Sequence, residues 1–171
     1  LEKVIAVSEF AKKCMSSAAT LSIHLIAPHA ILDFGTKEQK EKYLPRLTKG
    51  GELGAFALTE PNAGSDAAGV KTVAVYDEAT DEYIINGGKI FTTNSGFADT
   101  CIVFALTDKK LGTKGISAFI VDLHSPGVTV SENIKRMGIR AASNCEVSYE
   151  NVRVPAANRL GKEGQGFKIA M

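Results

Sequence analysis

The 171-residue sequence lacks a strong charge of either sign and lacks any run of 18 apolar residues. Its 20 basic and 19 acidic residues leave a formal net charge of +1, so we predict no basic face and no nucleic-acid partner. The missing apolar run predicts that the chain contains no transmembrane span. With 44% hydrophobic and 23% charged residues, the composition is typical of a soluble globular protein.

Motifs for metal binding and thiol redox chemistry are also missing. Cys14, Cys101 and Cys145 are far apart and form no C-x-x-C pair, which argues against a zinc site or a redox motif. Three unpaired thiols favour a reducing, intracellular compartment. We expect this compartment to be the bacterial cytoplasm, or the mitochondrial matrix if the organism is eukaryotic. No histidine has metal-ligand spacing to another His, Cys or carboxylate, so we expect no metal site.

Several common catalytic signatures fail on inspection. Gly161 and Gly166 have the G-x4-G spacing of a phosphate loop, but Phe167 stands where that loop requires lysine. No G-x-G-x-x-G follows a predicted strand, which leaves a dinucleotide-binding fold of that type unsupported. No nucleophile elbow or Ser–His–Asp arrangement is suggested.

Hydrophobic periodicity divides the chain into three parts. Residues 1–52 have the three-to-four-residue period of helices, and residues 53–153 have the two-residue period of short strands. Residues 154–171 turn helical again. We therefore predict an α+β fold, in which a helical segment precedes a small antiparallel β-barrel or sandwich domain and the start of a helical domain.

The helical part predicts two elements. Apolar residues from Leu1 to Leu25 mark one helix with a buried face, ended or kinked by Pro28. Thr36 and Gln39 form a T-x-x-Q capping box at the start of a second helix. That helix should end near Pro45, because the residue before a proline disfavours helical backbone.

The strand part predicts alternating strands separated by turns. Alternation over 70–76 indicates a strand, and Asn86-Gly87 is the dipeptide most typical of a tight hairpin. The remaining strand candidates are 101–106, 116–121, 127–130 and 146–149.

Residues 57–69 carry most of the functional information. A strand breaks at Pro61, and Gly64 with Ser65 then allows a tight turn whose N–H groups could approach an anion closely. An extended backbone beside such a turn could line a flat ring and hold its phosphate tail. A plain strand followed by a turn rich in Gly and Ser would look the same, so the pattern alone leaves both interpretations open.

The same residues resemble a signature of the acyl-CoA dehydrogenase family. The stretch 57–69 reads ALTEPNAGSDAAG and fits that signature without a gap, and 87–96 (GGKIFTTNSG) resembles the second flavin segment of the family. The resemblance is nearest to the short-chain, butyryl-CoA-like branch and extends over almost the whole chain. Further similar stretches are 34–47, 114–122, 136–143 and 164–171.

The resemblance implies a reaction, a cofactor and partners. An FAD-dependent enzyme would oxidise a short-chain acyl-CoA to its trans-2-enoyl-CoA and then pass electrons to an electron-transferring flavoprotein. The full-length protein is expected to be a homo-oligomer. Two alternatives stay open: an acyl-CoA oxidase, which gives its electrons to oxygen, and a non-catalytic β-barrel that serves as a binding module.

The resemblance also implies roles for individual residues. Ser65 and Thr113 are expected to contact the acyl-CoA. Phe91 would pack against the flavin ring, where many relatives carry the larger tryptophan. The implied FAD-binding residues are Phe56, Ala57, Leu58, Thr59, Gly64, Ser65, Phe91, Thr92 and Thr93.

The resemblance places no catalytic residue within the chain. The family's catalytic base would lie beyond Met171, so Glu60 is interpreted as a structural carboxylate despite its place beside the flavin segment. Both ends look cut from a longer protein, because Leu1 begins inside a helical pattern and the last helix stops after about one turn. We therefore expect the 171-residue chain alone to be inactive.

Overall fold

The computed structural model describes all residues from Leu1 to Met171. Helices come first, the sheet follows, and one short helix comes last. The five helices are α1 (Glu2–Lys13), α2 (Met15–His24), α3 (Ile26–Phe34), α4 (Lys37–Thr48) and α5 (Gly166–Ala170).

The predicted first helix is in fact three helices. Cys14 takes extended backbone at φ −150° between α1 and α2, and α2 ends at His24. Pro28 explains the second break, because it has no N–H for the His24 carbonyl and its ring crowds that group. The prediction of a continuous buried face was wrong, since no residue of α1 is buried and Ala18 is the only buried residue of α2.

Residues Met15–Phe34, which span α2 and α3, have the length and mean hydropathy (1.3) of a possible membrane span. In the structure, 28% of this stretch is buried. Core helices of soluble proteins meet the same two criteria, so length and composition are weak support for a span.

Helix α4 confirms its predicted start and corrects its predicted end. The Thr36 hydroxyl accepts from the Gln39 amide at 3.2 Å, and the Gln39 side chain accepts from the Thr36 amide at 3.0 Å. The helix nevertheless continues through Pro45 to Thr48. The burial of Leu47, which is 1% exposed, outweighs the hydrogen bond lost at the proline.

Eight strands form one mostly antiparallel sheet, which confirms the α+β prediction. The order is β6-β7-β3-β2-β4-β5-β8, and β1 pairs with β4 off this path. The sheet does not close on itself, so the barrel prediction is not met. The strands are β1 (Gly54–Ala57), β2 (Val73–Asp77), β3 (Glu82–Thr93), β4 (Thr100–Leu106), β5 (Ile116–Asp122), β6 (Val128–Val130), β7 (Asn144–Pro155) and β8 (Arg159–Leu160).

The hairpin predicted at Asn86-Gly87 is absent. Strand β3 runs straight through this dipeptide, with an irregular register against β7 between Ile85 and Gly87. The hairpin lies earlier, where β2 and β3 pair from Asp77 and Glu82 onward. Gly87 has φ +147° and lies in a β-bulge. A bulge of this kind needs a residue that tolerates positive φ, as the predicted hairpin turn would have done.

Strand β4 separates the two hydrophobic layers of the molecule. Cys101 and Val103 belong to a hydrophobic cluster formed mainly by strand residues. Ile102 and Phe104, on the opposite face of β4, belong to the cluster that contains residues of α3 and α4. Ile31 of α3 belongs to the helical layer and is fully buried. The N-terminal helices therefore pack against the face of the sheet formed by β4 and its neighbour β1, which begins the first predicted flavin segment.

Candidate functional site

The two predicted flavin segments lie side by side. The Ile90 amide donates to the Thr59 carbonyl at 2.9 Å, and the Asn94 side-chain amide donates to the Gly54 carbonyl at 3.1 Å. These contacts make the first segment antiparallel to the second half of β3. Residues 56–59 and 91–93 are therefore neighbours in space, although 31 positions separate Ile90 from Thr59 in the chain.

The loop after Thr59 presents unpaired backbone donors. Gly64 and Ser65 are exposed, and the amide groups of Gly64, Ser65 and Asp66 make no hydrogen bond within the chain. A Cβ built on Gly64 would meet no atom of the chain within 4 Å. Packing within the chain does not require glycine here. Three free amides on an exposed turn are suited to holding an anion such as a pyrophosphate.

Phe91 combines exposure with an unusual backbone. The backbone φ of Phe91 is +57°, and the residue is 58% exposed. It lies where the register of β3 against β7 shifts, between Lys89 and Thr92. Left-handed backbone is costly for a bulky residue and is concentrated at functional sites. An exposed aromatic ring held in this way is suited to packing against a flat ligand.

Four other predicted residues lie deeper in the structure. Phe56 is half-buried and packs against Phe104, with ring centroids 4.9 Å apart and ring planes tilted by 56°, and Ala57 is 1% exposed. Leu58 and Thr59 are half-buried, and their amide groups have no partner within the chain. The structure thus leaves backbone donors free along this segment while its side chains pack.

The two threonines of β3 differ from each other. Thr92 is 1% exposed, and its buried hydroxyl has no hydrogen-bond partner. Thr93 is half-buried at the end of the strand, where it pairs with Asn144 of β7. The Thr92 side chain therefore packs inside the sheet, whereas Thr93 lies nearer to the surface.

Thr113 lies in a separate loop at the same end of the sheet as Ser65. It belongs to the 3-10 segment Lys109–Gly115, between β4 and β5. Strands β1 and β4 run parallel, so the segments that follow them leave the sheet in the same direction. No hydrogen bond of the chain joins Thr113 to the 57–69 segment.

Glu60 is fully engaged in internal contacts. Its Oε1 atom accepts from Lys89 Nζ at 2.7 Å and from the Thr72 amide at 3.0 Å, and its Oε2 atom accepts from the Lys71 amide at 2.6 Å. The side chains of Glu60 and Lys89 are 6% and 0% exposed. These contacts support the interpretation of Glu60 as structural, because a carboxylate held in this way is not free to take a substrate proton.

Comparison with known proteins identifies the family of the chain. The family model for the acyl-CoA dehydrogenase N-terminal domain matches residues 1–51, and the model for the middle domain matches residues 55–152. The chain belongs to the acyl-CoA dehydrogenase family. It is 63% identical over its whole length to an acryloyl-CoA reductase (NADH) from Anaerotignum propionicum and covers 43% of that protein.

Solved structures agree with this membership of the acyl-CoA dehydrogenases. The butyryl-CoA dehydrogenase of Megasphaera elsdenii matches 98% of the chain with a TM-score of 0.95 and 48% identity. An acyl-CoA dehydrogenase from Bacillus anthracis, solved in complex with FAD, matches 96% of the chain with a TM-score of 0.88 and 42% identity. The chain covers 44% and 28% of those two proteins.

Sequence reasoning did not identify Lys89 as the buried partner of Glu60 in the acyl-CoA dehydrogenase signature. The available signal was a lysine within a stretch that resembles a flavin segment, because a lysine is rarely buried without a partner. Burial raises the pKa of the Glu60 carboxyl, but Lys89 and the amides of Lys71 and Thr72 outweigh burial and bring that pKa below its usual value. Burial lowers the pKa of Lys89, and Glu60 offsets this only in part.

The depressed pKa of Glu60 predicts an acid-dependent loss of stability. In the unfolded chain this glutamate takes up a proton at about pH 4.3, whereas in the folded chain it does so only at lower pH. The contribution of ionised Glu60 to the free energy of unfolding is therefore complete above about pH 4.3 and is lost as the pH falls through the folded pKa. We expect Glu60→Gln to flatten the pH dependence of the free energy of unfolding in this acid range. Urea unfolding at a series of pH values between about 3 and 7 measures this.

The matched control for this prediction is Glu9→Gln, which removes an exposed carboxyl on α1. It should leave the acid slope as it is in the unchanged chain. An identical slope in Glu60→Gln and the unchanged chain would contradict the prediction.

Proposed function

We propose that this chain supplies the flavin- and thioester-binding part of an FAD-dependent enzyme acting on a short-chain acyl-CoA. The reaction would remove hydrogen from the α and β carbons and leave the trans-2-enoyl-CoA. The carrying observation is the row of unpaired amides at Gly64, Ser65 and Asp66, in the loop that follows the segment hydrogen-bonded to β3 at Ile90, beside the exposed Phe91. An anion-binding turn that leads away from an exposed aromatic ring fits a cofactor with a flat ring and a pyrophosphate.

In this proposal, the middle part of the chain binds FAD and the flanking helical parts support it. Residues 53–153 form the binding domain between helical segments 1–52 and 154–171. The free amides of Leu58 and Thr59 would meet the polar edge of the ring, Phe91 would cover it, and Thr92 and Thr93 would complete the cradle. Gly64 and Ser65 would hold the pyrophosphate.

The substrate would lie on the same side of the sheet. Ser65 is proposed to face the acyl-CoA, and Thr113 to contact its CoA part from the neighbouring loop. When bound, FAD supplies the hydride chemistry that no side chain can perform. The chain's own residues orient the ring and keep the thioester beside it.

The proton-accepting base is proposed to lie outside residues 1–171. Glu60, the glutamate within the first predicted flavin segment, is occupied by Lys89 and two amide groups. The 171-residue chain alone is therefore proposed to be inactive. The proposed acceptor of the electrons is an electron-transferring flavoprotein, the proposed compartment is the bacterial cytoplasm, and the full-length protein is proposed to be a homo-oligomer.

Anaerobic titration with butyryl-CoA tests the proposed function. The full-length protein should carry FAD, and its flavin absorbance should bleach on addition of the substrate. Slow recovery in air supports a dehydrogenase, whereas fast recovery with hydrogen peroxide release supports an acyl-CoA oxidase. A full-length protein that binds no flavin would contradict the proposal and favour the binding module.

A second candidate function runs the reaction in the opposite direction. The relative with 63% identity is an acryloyl-CoA reductase that uses NADH. The same cofactor geometry would then serve reduction of a short 2-enoyl-CoA. NADH consumption on addition of acryloyl-CoA, measured with and without added electron-transferring flavoprotein, separates the two directions.

Phe91→Gly tests the proposed contact between Phe91 and the flavin. Glycine accepts the left-handed backbone at this position, and the phenyl ring is largely outside the core, so the free energy of unfolding should change by no more than about 1 kcal/mol. The affinity for FAD should fall about tenfold through loss of the stacked ring. Fluorescence titration with FAD and thermal unfolding of the apo-protein measure the two effects.

Phe97→Gly is the control, because Phe97 is also exposed, at 68%, but lies outside the predicted flavin segments. It should leave FAD affinity unchanged. Equal FAD affinity in Phe91→Gly and the unchanged protein would rule out the contact.

A further inference from the structure

Lys89 connects the two predicted flavin segments through one buried ammonium group. Its Nζ atom donates to the Leu58 carbonyl at 3.1 Å and to Glu60 Oε1 at 2.7 Å. The next residue of β3, Ile90, donates its amide to the Thr59 carbonyl at 2.9 Å. Three consecutive residues of the first segment are therefore attached to two consecutive residues of the second.

Glu60 extends this connection to the loop that carries Gly64 and Ser65. Its carboxylate accepts from the amides of Lys71 and Thr72, where the loop returns to the sheet. Its backbone exchanges hydrogen bonds of 3.0 and 3.1 Å with Ala63, just before Gly64. Glu60 thus fixes the start of the loop through its backbone and the end of the loop through its carboxylate, which also binds Lys89.

Stability alone is a weak explanation for this ion pair. Taking two charges out of water is costly, and a well-packed apolar pair of similar volume is often at least as stable. What an apolar pair cannot reproduce is the directed set of hydrogen bonds to Leu58, Lys71 and Thr72. The pair therefore constrains backbone geometry beyond the burial that it contributes.

We propose that Lys89 and Glu60 are positioning residues, which fix the Leu58–Thr59 backbone and the Gly64–Ser65 turn at the spacing that the ring and pyrophosphate of the cofactor require. This inference rests on the proposed FAD-dependent function. Neither side chain touches the cofactor, since both are enclosed within the chain. Their effect passes through the backbone that they hold.

The test uses the holoenzyme with the double substitution Glu60→Gln/Lys89→Met. The glutamine oxygen can still accept from the Thr72 amide, and no unpaired charge stays buried, so the variant is designed to fold. We expect the Kd for FAD to rise at least about tenfold and kcat to fall about 100-fold, as a misplacement of about 1 Å can produce. The KM for butyryl-CoA should change much less than kcat.

Glu60→Gln alone is the second variant. Lys89 keeps the Leu58 carbonyl and the glutamine oxygen as acceptors, and burial already lowers the pKa of Lys89, so the lysine can lose its proton instead of staying charged without a partner. This variant should show a smaller loss of FAD affinity and kcat in the same direction, even if the double variant is poorly folded. Arg153→Met is the matched control, since it removes an ion pair that also joins two strands, between Arg153 of β7 and Glu82 of β3, but at the surface. The Arg153 side chain is 51% exposed. This substitution should leave both quantities unchanged.

The outcomes separate this inference from the proposed function. If the wild-type protein binds no FAD, the proposed function is overturned, and with it the basis of the inference. If the wild-type protein binds FAD and is active, and the double variant folds with the same Kd and kcat, only the positioning role is overturned. If the double variant does not fold, wild-type values in Glu60→Gln overturn it instead.

Discussion

Replacing Gly64 by valine is expected to raise the Kd for FAD by about 10- to 100-fold. The side chain would stand between the pyrophosphate and the free amides of Gly64, Ser65 and Asp66. A hydrogen bond to a charged group contributes about 1.5–3 kcal/mol, and about 1.4 kcal/mol corresponds to tenfold in Kd. Titration of the apo-protein with FAD, followed by flavin fluorescence, measures the change.

The stability of Gly64→Val should stay close to that of the unchanged protein. A Cβ at position 64 meets no atom of the chain within 4 Å, so the substitution creates no clash of its own. Gly51→Val is the matched control, because Gly51 is equally open but lies between α4 and β1. Full FAD content in purified Gly64→Val protein would refute the anion-binding role of the turn.

The second large effect is structural and concerns Gly87. Gly87→Ala is expected to lower the free energy of unfolding by about 3 kcal/mol, from backbone strain together with overpacking. The residue has φ +147°, and an added Cβ would lie 2.7 Å from the Thr72 Cα atom. Backbone atoms cannot move aside as the end of a flexible side chain can. Urea unfolding of the two proteins measures the difference.

Gly88→Ala provides a control at the adjacent position of the same strand. Its added Cβ would come no closer than 3.9 Å to the Val147 carbonyl, which is ordinary contact. Its stability should differ from that of the unchanged protein by less than about 1 kcal/mol. Similar losses in the two variants would show that the bulge does not depend on Gly87.

Local sequence rules succeeded where the deciding contacts are close in the chain. The capping box joins Thr36 to Gln39, three residues away, and Pro28 ends α2 at its own i−4 position. The strands predicted over 101–106 and 116–121 are confirmed, although neither alternates, because both faces of β4 and β5 are covered by apolar layers and their residues are almost all buried. The gapless match over 57–69 pointed to the family that the comparisons show.

Local rules failed where distant residues decide the outcome. Asn86-Gly87 has the composition of a hairpin turn, but pairing of β3 with β7 turns it into a bulge. Pro45 has the composition of a helix end, but the buried Leu47 keeps α4 intact for one more turn. In both cases tertiary packing outweighs a local preference of a few kcal/mol.

The sequence by itself determined the succession of a helical part, a strand part and a final helix, the family resemblance and the residues expected to meet a flavin. Only the tertiary structure decided that Leu58, Thr59 and Glu60 are joined to Lys89 and Ile90, and that β1 pairs in parallel with β4. The physical reason is that Lys89 and Glu60, 29 positions apart, become partners only after the strands between them have paired. Burial then leaves each charge no charged partner except the other, and no rule about neighbouring residues can predict that pairing.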